Sequence, residues 1–366
     1  MRNFTLLIIG LILVLTGCQP EETEPTDVIP VPNQQVSSDL GEQEKEEWVA
    51  YTANPDSFYQ TYGWLSDSEI LIAEIEEGNY ILRSYNFKNG EKKDIFKESM
   101  MVINTKIHSS KEFIALHISE SPASAIIKII KPDGTLVEEV KVESSELYID
   151  WNDEDASLMM ITAFYEDWSF DTFVFDMNTK NLTLFESSDP FVKWLNGDTL
   201  LSLQWSEHAL SGGQIVKIHW RTGESELTDL SNVVFFDAYR GNLLAVHPKE
   251  DEKEMIYKIV GSNGEIVTEW SAPALSNYSQ WFIPEVQWLV DGSMITLLPV
   301  NQGLIDETAP EFQYVKVQNG AVEVFEEKVA EAAFNCSPDG SLCLSGYESD
   351  HIIQFDPFKV WKWLEV

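Results

Sequence analysis

A pattern of roughly 43 residues repeats along this chain from about residue 60 to the C-terminus. Each unit begins with an aromatic or apolar leading position, a polar turn and an apolar strand, and ends with a hairpin of two further strands. Like-sized units of this length indicate a repeat architecture closed on itself, in which each unit buries its apolar face against the next. The leading positions, spaced by 43, 44, 43, 42, 52 and 46 residues, are Trp64, Ile107, Trp151, Trp194, Phe236, Trp288 and Phe334.

The hairpin that ends the unit carries turn signals in five of the repeats. Pairs that end in glycine tolerate the positive φ that tight hairpin turns need. Residues 126–130 alternate with the period of a strand, and helical periodicity is nearly absent from the repeats. The five pairs are Asn89-Gly90, Asp133-Gly134, Thr222-Gly223, Asn263-Gly264 and Asn319-Gly320.

Four-stranded antiparallel units of this size are the blades of a β-propeller, so the sequence predicts an all-β propeller. The count of units favours seven blades, and six stays open because one unit could be a partial blade. Residues 48–52 are expected to add a closing strand to the last blade. The tryptophans at leading positions are interpreted as core packing between blades, because they share one register.

The N-terminus has the features of an export signal. Arg2 supplies a positive charge, and residues 4–15 form an apolar run that is too short to span a bilayer comfortably. The sequence Leu15-Thr16-Gly17-Cys18 that follows resembles the lipobox of bacterial lipoproteins. This resemblance implies cleavage before Cys18 and acylation of that residue, which would anchor the chain on the extracytoplasmic face of the cell membrane.

A polar segment separates Cys18 from the repeats. Residues 19–47 contain nine acids, one lysine and four prolines, with almost no large apolar side chains. Such a composition cannot bury enough surface to fold. The sequence therefore predicts a signal peptide over 1–17, a lipidated cysteine with a disordered acidic tether over 18–47, and a propeller over 48–366.

The charge balance is strongly acidic. Lysine and arginine number 24 against 61 aspartate and glutamate, for a formal charge of −37. This excludes a basic footprint for nucleic acid. The sequence shows no histidine or cysteine spacing typical of a metal site, and we predict neither a metal nor a cofactor.

Cys336 and Cys343 flank the turn sequence Ser337-Pro338-Asp339-Gly340. An extracytoplasmic location permits a disulfide between them. With a six-residue connection the two would face each other, and with a four-residue loop they would lie diagonally on one face. Two buried free thiols are the alternative, and the sequence leaves both open.

The last repeat, Phe-Asn-Cys-Ser-Pro-Asp-Gly-Ser-Leu-Cys-Leu at 334–344, resembles the repeat of TolB-like propellers. The whole chain, with its lipobox, acidic tether and propeller, resembles the YqgU-like lipoproteins of Gram-positive bacteria. That family is described as a six-bladed propeller without an established activity. The resemblance therefore implies a lipid-anchored propeller and no particular reaction.

Long, chemically rich connections are expected on one face of the propeller, where the second strand joins the third and one blade joins the next. Irregular loops on a rigid scaffold are where binding concentrates. Aromatic side chains with nearby acids in these loops suit sugar rings or a peptide, whereas the alternative is that the rings hold the loops against the blades. The candidate ligand-binding residues are Tyr165, Trp168, Trp205, His208, Tyr278 and Trp281.

These features favour a binding or scaffold module for a cell-envelope protein or glycan. The alternative is an extracytoplasmic enzyme (a glycosidase, lactonase or lyase), for which no catalytic residue can be named. A loose resemblance to a calcium loop at Asp150, Asn152, Asp153 and Asp155 lacks the glycine and terminal glutamate of an EF-hand, so we interpret it as a solvated turn.

Overall fold

The computed structural model describes residues 48–249, 253–277, 279–283, 285–307, 309–330 and 332–366. They form seven four-stranded antiparallel sheets, numbered here as blades 1 to 7 along the chain. Within each blade the strands pair in chain order. The predicted all-β propeller with seven blades is therefore confirmed, whereas the predicted signal peptide and tether lie outside the described residues.

The strands of blades 1 to 4 are Phe58–Trp64, Glu69–Glu76, Asn79–Asn86 and Glu91–Glu98; Met101–Ile107, Ile114–Ser121, Ser124–Ile130 and Leu136–Val142; Glu146–Trp151, Leu158–Phe164, Phe170–Asp176 and Asn181–Phe185; and Lys193–Trp194, Thr199–Trp205, Gly213–His219 and Ser225–Leu227. The strands of blades 5 to 7 are Phe235–Tyr239, Asn242–Pro248, Glu254–Val260 and Ile266–Pro273; Val286–Trp288, Met294–Pro299, Phe312–Gln318 and Ala321–Val329; and Phe334–Cys336, Leu342–Ser345, His351–Phe355 and Phe358–Lys362.

Two short parallel pairs complete the strands, Tyr51–Thr52 with Leu364–Glu365 and Leu275–Ser276 with Gly303–Leu304. A 3₁₀ turn at Ala209–Ser211 is the helical element of the described residues. No helix within the described ranges is long and apolar enough to cross a membrane.

The connections between strands divide between two faces. The turns from first to second strand and from third to fourth strand lie on one face, called the turn face. The longer loops from second to third strand and from blade to blade lie on the other, called the loop face. The five predicted glycine turns each join a third strand to a fourth, and the five glycines have φ between +71° and +87°, which favours glycine.

The hydrophobic core lies mainly in the seams between adjacent blades. One cluster packs Leu158, Met160 and Val174 of blade 3 against Trp194 and Leu200 of blade 4. Each blade alternates inward and outward side chains, so both of its faces carry apolar residues that a neighbouring blade must cover. The seams therefore fix the blades around a central channel lined by the first strands.

Strand pairing corrects two of the predicted leading positions. At the end of the first strand of blade 6, Trp288 pairs with Met294 of the second strand. The residue at the corresponding end of the first strand of blade 7 is Cys336, which pairs with Cys343. In blade 5, the equivalent level is Ala238. Phe236 and Phe334 are buried but lie two residues earlier on the same side of their strands, because a strand repeats its facing every two residues.

The ring closes differently from the prediction for residues 48–52. Tyr51–Thr52 does not extend the last blade, which already has four strands from the C-terminal part of the chain. It pairs instead with Leu364–Glu365 in a separate parallel ladder. The first and last described strands thus meet in the seam between blades 7 and 1, where Trp64 and Trp363 belong to one buried cluster.

The two remaining cysteines lie directly opposite each other in blade 7. Cys336 and Cys343 are a cross-strand pair with a Cα–Cα distance of 3.9 Å, and their sulfurs are joined as a disulfide. Both residues are buried in the cluster between blades 6 and 7. The disulfide thus fixes the first turn of blade 7 beside the channel.

Candidate functional site

One residue from the first strand of each blade forms a belt around the channel. Each belt residue directly precedes the level occupied by Trp64 in blade 1, so the seven positions share one register. The chain places charged residues in blades 2 to 5 and uncharged ones in blades 6, 7 and 1. The belt residues are Gly63, Lys106, Asp150, Lys193, Asp237, Gln287 and Asn335.

The charged arc of the belt alternates in sign. Lys193 Nζ lies 2.6 Å from Asp237 Oδ1, and Lys106 Nζ lies 3.9 Å from Asp150 Oδ1. Asp150 also accepts a hydrogen bond from the backbone N–H of Trp194 at 2.8 Å. Burial alone would lower the pKa of Lys193, but the charge of Asp237 holds that pKa well above its usual value. Each pair joins two neighbouring blades, and its positive and negative charges cancel.

The uncharged arc of the belt is held by close contacts. Asn335 Nδ2 donates to Gln287 Oε1 at 3.1 Å, and Trp64 Nε1 donates to the Asn335 carbonyl at 2.7 Å. Gly63 has a φ of +133°, and a Cβ there would lie 2.7 Å from Asn335 Oδ1. Glycine is therefore favoured at the blade 1 position of the belt, because its φ is positive and a Cβ there would displace the end of the Asn335 side chain.

Next to the belt, toward the turn face, lies a cavity of about 340 Å³, called the channel cavity. Residues from all seven blades line it. The first turn of blade 2 contributes Lys111, the first turn of blade 3 contributes Asp153, and Trp288 and Tyr239 form a stacked pair with ring centroids 6.0 Å apart. The site therefore combines charged and aromatic groups contributed by separate blades.

Lys111 and Asp153 are the charged groups of the channel cavity that form no ion pair with another described residue. Burial lowers the pKa of Lys111 to about 8, although the carboxylates of Asp67 and Asp153 oppose the shift. Burial raises the pKa of Asp153 to about 6, and the charge of Asp150 adds to the effect. Enclosure by protein thus disfavours the charged form of both groups.

Several hydroxyl groups in the channel wall add polar character. The hydroxyl oxygens of Tyr62, Thr105, Ser109 and Tyr239 are buried and reach no partner within hydrogen-bonding geometry among the described residues. His108 is placed in the same wall by its Nε2, 3.0 Å from the carbonyl oxygen of Asn152. Burial lowers the pKa of His108, so this ring is neutral at pH 7.

Replacing Asp153 with asparagine should increase the free energy of unfolding at pH 8 by about 1–2 kcal/mol, because a neutral amide avoids the cost of burying a partly screened charge. The folded-state pKa, about 6, lies above the ordinary 3.8. Protons therefore bind the folded state more tightly, and the gain should disappear as the pH falls through the window from about 6 to about 4.

Denaturant unfolding at pH 8 and at pH 4 checks this prediction. Asp56→Asn is the matched control, because Asp56 is exposed, and it should have little effect at either pH. A loss of stability for Asp153→Asn at pH 8 would contradict the burial of this carboxylate.

The loop face carries a second concavity, called the loop groove. It has a volume of about 470 Å³ and lies where blades 4, 5 and 6 meet. The parallel pair Leu275–Ser276 with Gly303–Leu304 ties the connection between blades 5 and 6 to a loop of blade 6. The groove is lined by Trp205, Val234, Asn277, Gln280, Trp281, Phe282, Ile283 and Ile305.

The structure brings two predicted site residues together in the loop groove. Trp205 ends the second strand of blade 4 and is 48% exposed. Trp281 is buried, and its Nε1 donates to the Leu210 carbonyl at 3.0 Å, which fastens the connection between blades 5 and 6 to blade 4. Trp205 therefore offers a surface to solvent, whereas Trp281 supports the groove from inside.

The other predicted residues lie elsewhere on the loop face. Trp168 is 95% exposed at the tip of the loop between the second and third strands of blade 3. Tyr165 in the same loop donates from its hydroxyl to Asp171 Oδ2 at 2.9 Å, and His208 is exposed in blade 4. The predicted Tyr278 lies outside the described residues.

The acidic turn of blade 3 is only partly the solvated turn that the sequence predicts. Asn152 is fully buried and donates from Nδ2 to the Asn196 carbonyl at 3.0 Å, while Asp150 belongs to the belt and Asp153 to the channel cavity. Asp155 accepts from the Ser157 hydroxyl at 2.6 Å. These side chains serve separate contacts, and no group of three or more metal-binding side chains occurs among the residues described.

Comparison with known proteins places the fold in a family. A model of the YqgU-like 6-bladed beta propeller domain matches residues 86–346. The chain belongs to the YqgU-like family. The match contains blades 2 to 6 complete, with only the adjoining strands of blades 1 and 7. This YqgU-like chain therefore has seven blades where the family description gives six.

Relatives of this YqgU-like chain extend over nearly its whole length. The uncharacterized lipoprotein YqgU of Bacillus subtilis strain 168 is 21% identical over 355 residues, which covers 96% of this chain and 94% of that protein. A crystal structure of an uncharacterized Listeria monocytogenes EGD-e protein has a TM-score of 0.79 at 20% identity, covering 87% of this chain and 98% of that one. The C-terminal WD40 domain of Sif2 has a TM-score of 0.53 at 12% identity, with coverages of 85% and 87%. The structural likenesses show the fold alone.

Sequence reasoning found the exposed tryptophans but missed the belt and the channel cavity. The seven belt residues belong to five residue types, so no recurring amino acid identifies the belt in the sequence. Their common signal is register, one residue before the level of Trp64, and the predicted register was two residues out in blades 5 and 7.

Proposed function

We propose that this protein is a lipid-anchored binding module on the extracytoplasmic face of the cell membrane, and that its loop face captures another protein of the cell envelope. The half-exposed Trp205 over the loop groove is the observation that carries the proposal. Large aromatic side chains that stay exposed beside an apolar concavity are typical of protein interaction sites.

The surroundings of Trp205 favour a protein over a glycan. Ile283 is an exposed apolar side chain in the wall of the groove, and Phe282 and Ile305 line it as well. A sugar would be expected to need several side-chain hydrogen bonds around an aromatic face. Trp168, nearly fully exposed on blade 3, is a second exposed aromatic side chain on the loop face.

The anchor rests on the lipobox-like sequence at Leu15–Cys18 and on the name of the Bacillus subtilis relative, a lipoprotein. Replacing Cys18 with alanine should move most of the protein from the membrane fraction to the soluble fraction or the medium, because two or three acyl chains anchor firmly and none would remain. Fractionation with immunoblotting measures the shift, and mass spectrometry of the mature N-terminus checks for acylation. Retention of the variant in the membrane fraction would contradict the anchor.

Replacing Trp168 and Trp205 together with alanine should reduce capture of the partner at least tenfold. The propeller should stay folded, because Trp168 is nearly fully exposed and Trp205 is half-exposed. Crosslinking in intact cells followed by mass spectrometry identifies the partner and measures its recovery. Leu184→Ala is the matched control, since Leu184 is an exposed apolar residue on the outer strand of blade 3. Equal recovery with the double variant, or crosslinking only to glycan, would exclude the proposed protein site.

A further inference from the structure

The channel cavity has a role separate from the loop groove. We propose that it binds a small zwitterion of amino-acid or dipeptide size, with the carboxylate of the ligand against Lys111 and its ammonium group against Asp153. The inference does not depend on the proposed partner of the loop face, because the two sites lie on opposite faces of the propeller.

The charge of the cavity supports a zwitterion. The whole chain has a formal charge of −37, yet the lysines and aspartates that line the cavity are balanced, three of each. A cavity with this balance does not select for a net anion or a net cation. The six residues are Lys106, Lys111, Asp150, Asp153, Lys193 and Asp237.

The belt leaves one cation and one anion for a ligand. Lys193 is paired with Asp237, and Lys106 lies nearest Asp150. Lys111 and Asp153 form no close ion pair with each other or with another described residue, although Asp67 and Asp153 act on Lys111 from a longer distance. An enclosed charge without a partner is costly, and a molecule with two opposite charges would satisfy both at once. Neutral ligands would leave this cost in place.

The position of the two groups fits one small molecule. Lys111 lies in the first turn of blade 2 and Asp153 in the first turn of the adjacent blade 3, and both line the same cavity. Its volume of about 340 Å³ is at the small end of ligand pockets. A free amino acid or a dipeptide is of this scale, whereas a folded domain or a long glycan is not.

The opposite side of the cavity suits an apolar side chain. Trp288 stacks on Tyr239 there, and Val286 and Val290 lie beside them. No charged residue of blades 6, 7 or 1 lines the cavity within the described ranges. The ligand would therefore place its two charges toward blades 2 and 3 and an aliphatic or aromatic side chain toward blade 6.

Isothermal titration calorimetry on the purified full-length protein in detergent tests the proposal. The probes are L-leucine, L-phenylalanine and L-leucyl-L-leucine, with N-acetyl-L-phenylalanine and L-phenylalaninamide as forms that each lack one charge. At least one zwitterion should bind, and each single-charge form should bind at least tenfold more weakly than L-phenylalanine. Absence of binding by all three zwitterions, or equal binding by the single-charge forms, would overturn the assignment.

Two variants connect the binding to the named residues. Lys111→Met and Asp153→Asn should each weaken the zwitterion at least tenfold, whereas the exposed Lys88→Met and Asp56→Asn should not change its affinity. Circular dichroism and thermal unfolding check that all four variants fold. Because Asp153→Asn is expected to be more stable at pH 8, its loss of affinity could not be attributed to unfolding. Unchanged affinity in both cavity variants would contradict the site.

Discussion

Replacing Arg83 with methionine should lower the free energy of unfolding by about 3–5 kcal/mol. The Arg83 guanidinium contacts the carboxylate of Glu74, which is only 4% exposed, and also lies 2.6 Å from Asp94 Oδ1. Without the guanidinium, Glu74 would stay buried with one lysine, Lys92, at 3.2 Å. Removing one partner of a buried pair is costly because the remaining charge has lost its compensation.

The pKa of Glu74 gives this prediction a pH dependence. Burial alone would raise that pKa, but hydrogen bonds with Tyr51, Lys92 and Arg83 hold it below the ordinary value of 4.5. The depressed folded-state pKa contributes stability that is present above pH 4.5 and is lost as the pH falls through the folded-state pKa. The defect of Arg83→Met should therefore be largest near neutral pH and smaller in acid.

Chemical denaturation followed by tryptophan fluorescence measures both effects. Arg221→Met is the matched control, because Arg221 forms a long ion pair, 3.8 Å from Nε to Asp198 Oδ1, in which both side chains are exposed. Its loss should lower the free energy of unfolding by less than about 1 kcal/mol. Glu74→Gln combined with Arg83→Met should recover part of the stability, since the uncompensated charge is gone. Equal losses for the Arg83 and Arg221 variants would show that this buried pair does not stabilise the fold.

Replacing Trp363 with alanine should destabilise the protein by about 3–5 kcal/mol, since it leaves a cavity in the seam that closes the ring. Trp363 is 2% exposed and lies in the cluster that joins blades 7 and 1. Its Nε1 donates to the Ser349 carbonyl at 2.7 Å, and its ring stacks on Tyr85. Its carbonyl also accepts from the backbone N–H of Tyr51 at 2.6 Å.

The seam should open first in this variant. Thermal unfolding measures the loss of stability, and hydrogen exchange should report faster exchange in blades 1 and 7 than in blades 3 and 4. Trp168→Ala is the matched control, because that tryptophan is almost fully exposed and its removal should change stability little. Uniformly faster exchange in every blade would show that the chain ends do not hold the ring closed locally.

The fold was predictable because each blade repeats the same physical requirements. Trp151 and Trp194 recur at one register because each fills the seam of its blade with a bulky group at that level. Gly90 and Gly264 recur because the tight turn between the third and fourth strands needs a positive φ. Such local requirements produce repeated residues in the sequence, and the number of repeats predicted seven blades.

The channel cavity was not predictable, because its chemistry exists only after closure. Lys193 and Asp237 are 44 residues apart in the chain, yet their side chains meet at 2.6 Å. Gly63 and Asn335 are 272 residues apart, yet a Cβ on Gly63 would meet the Asn335 side chain. Contacts of this kind depend on which blades are neighbours in the ring, and no pattern within one repeat encodes them.

Ring closure was predicted only in part for the same reason. The sequence predicted that residues 48–52 add a closing strand to the last blade, whereas Tyr51–Thr52 forms a separate parallel ladder with Leu364–Glu365. In the structure the hydroxyl of Tyr51 donates to the buried Glu74 of blade 1, and the backbone of Tyr51–Thr52 pairs with Leu364–Glu365. No pattern within one repeat encodes these contacts.

A crystal structure of this protein would show both the number of blades and the register of their first strands. We expect seven four-stranded blades, with Lys106, Asp150, Lys193 and Asp237 at one level of the channel and Lys111 and Asp153 facing the cavity beside them. Six blades, as in the family description, or a channel in which these four charged residues lie at different levels, would contradict it.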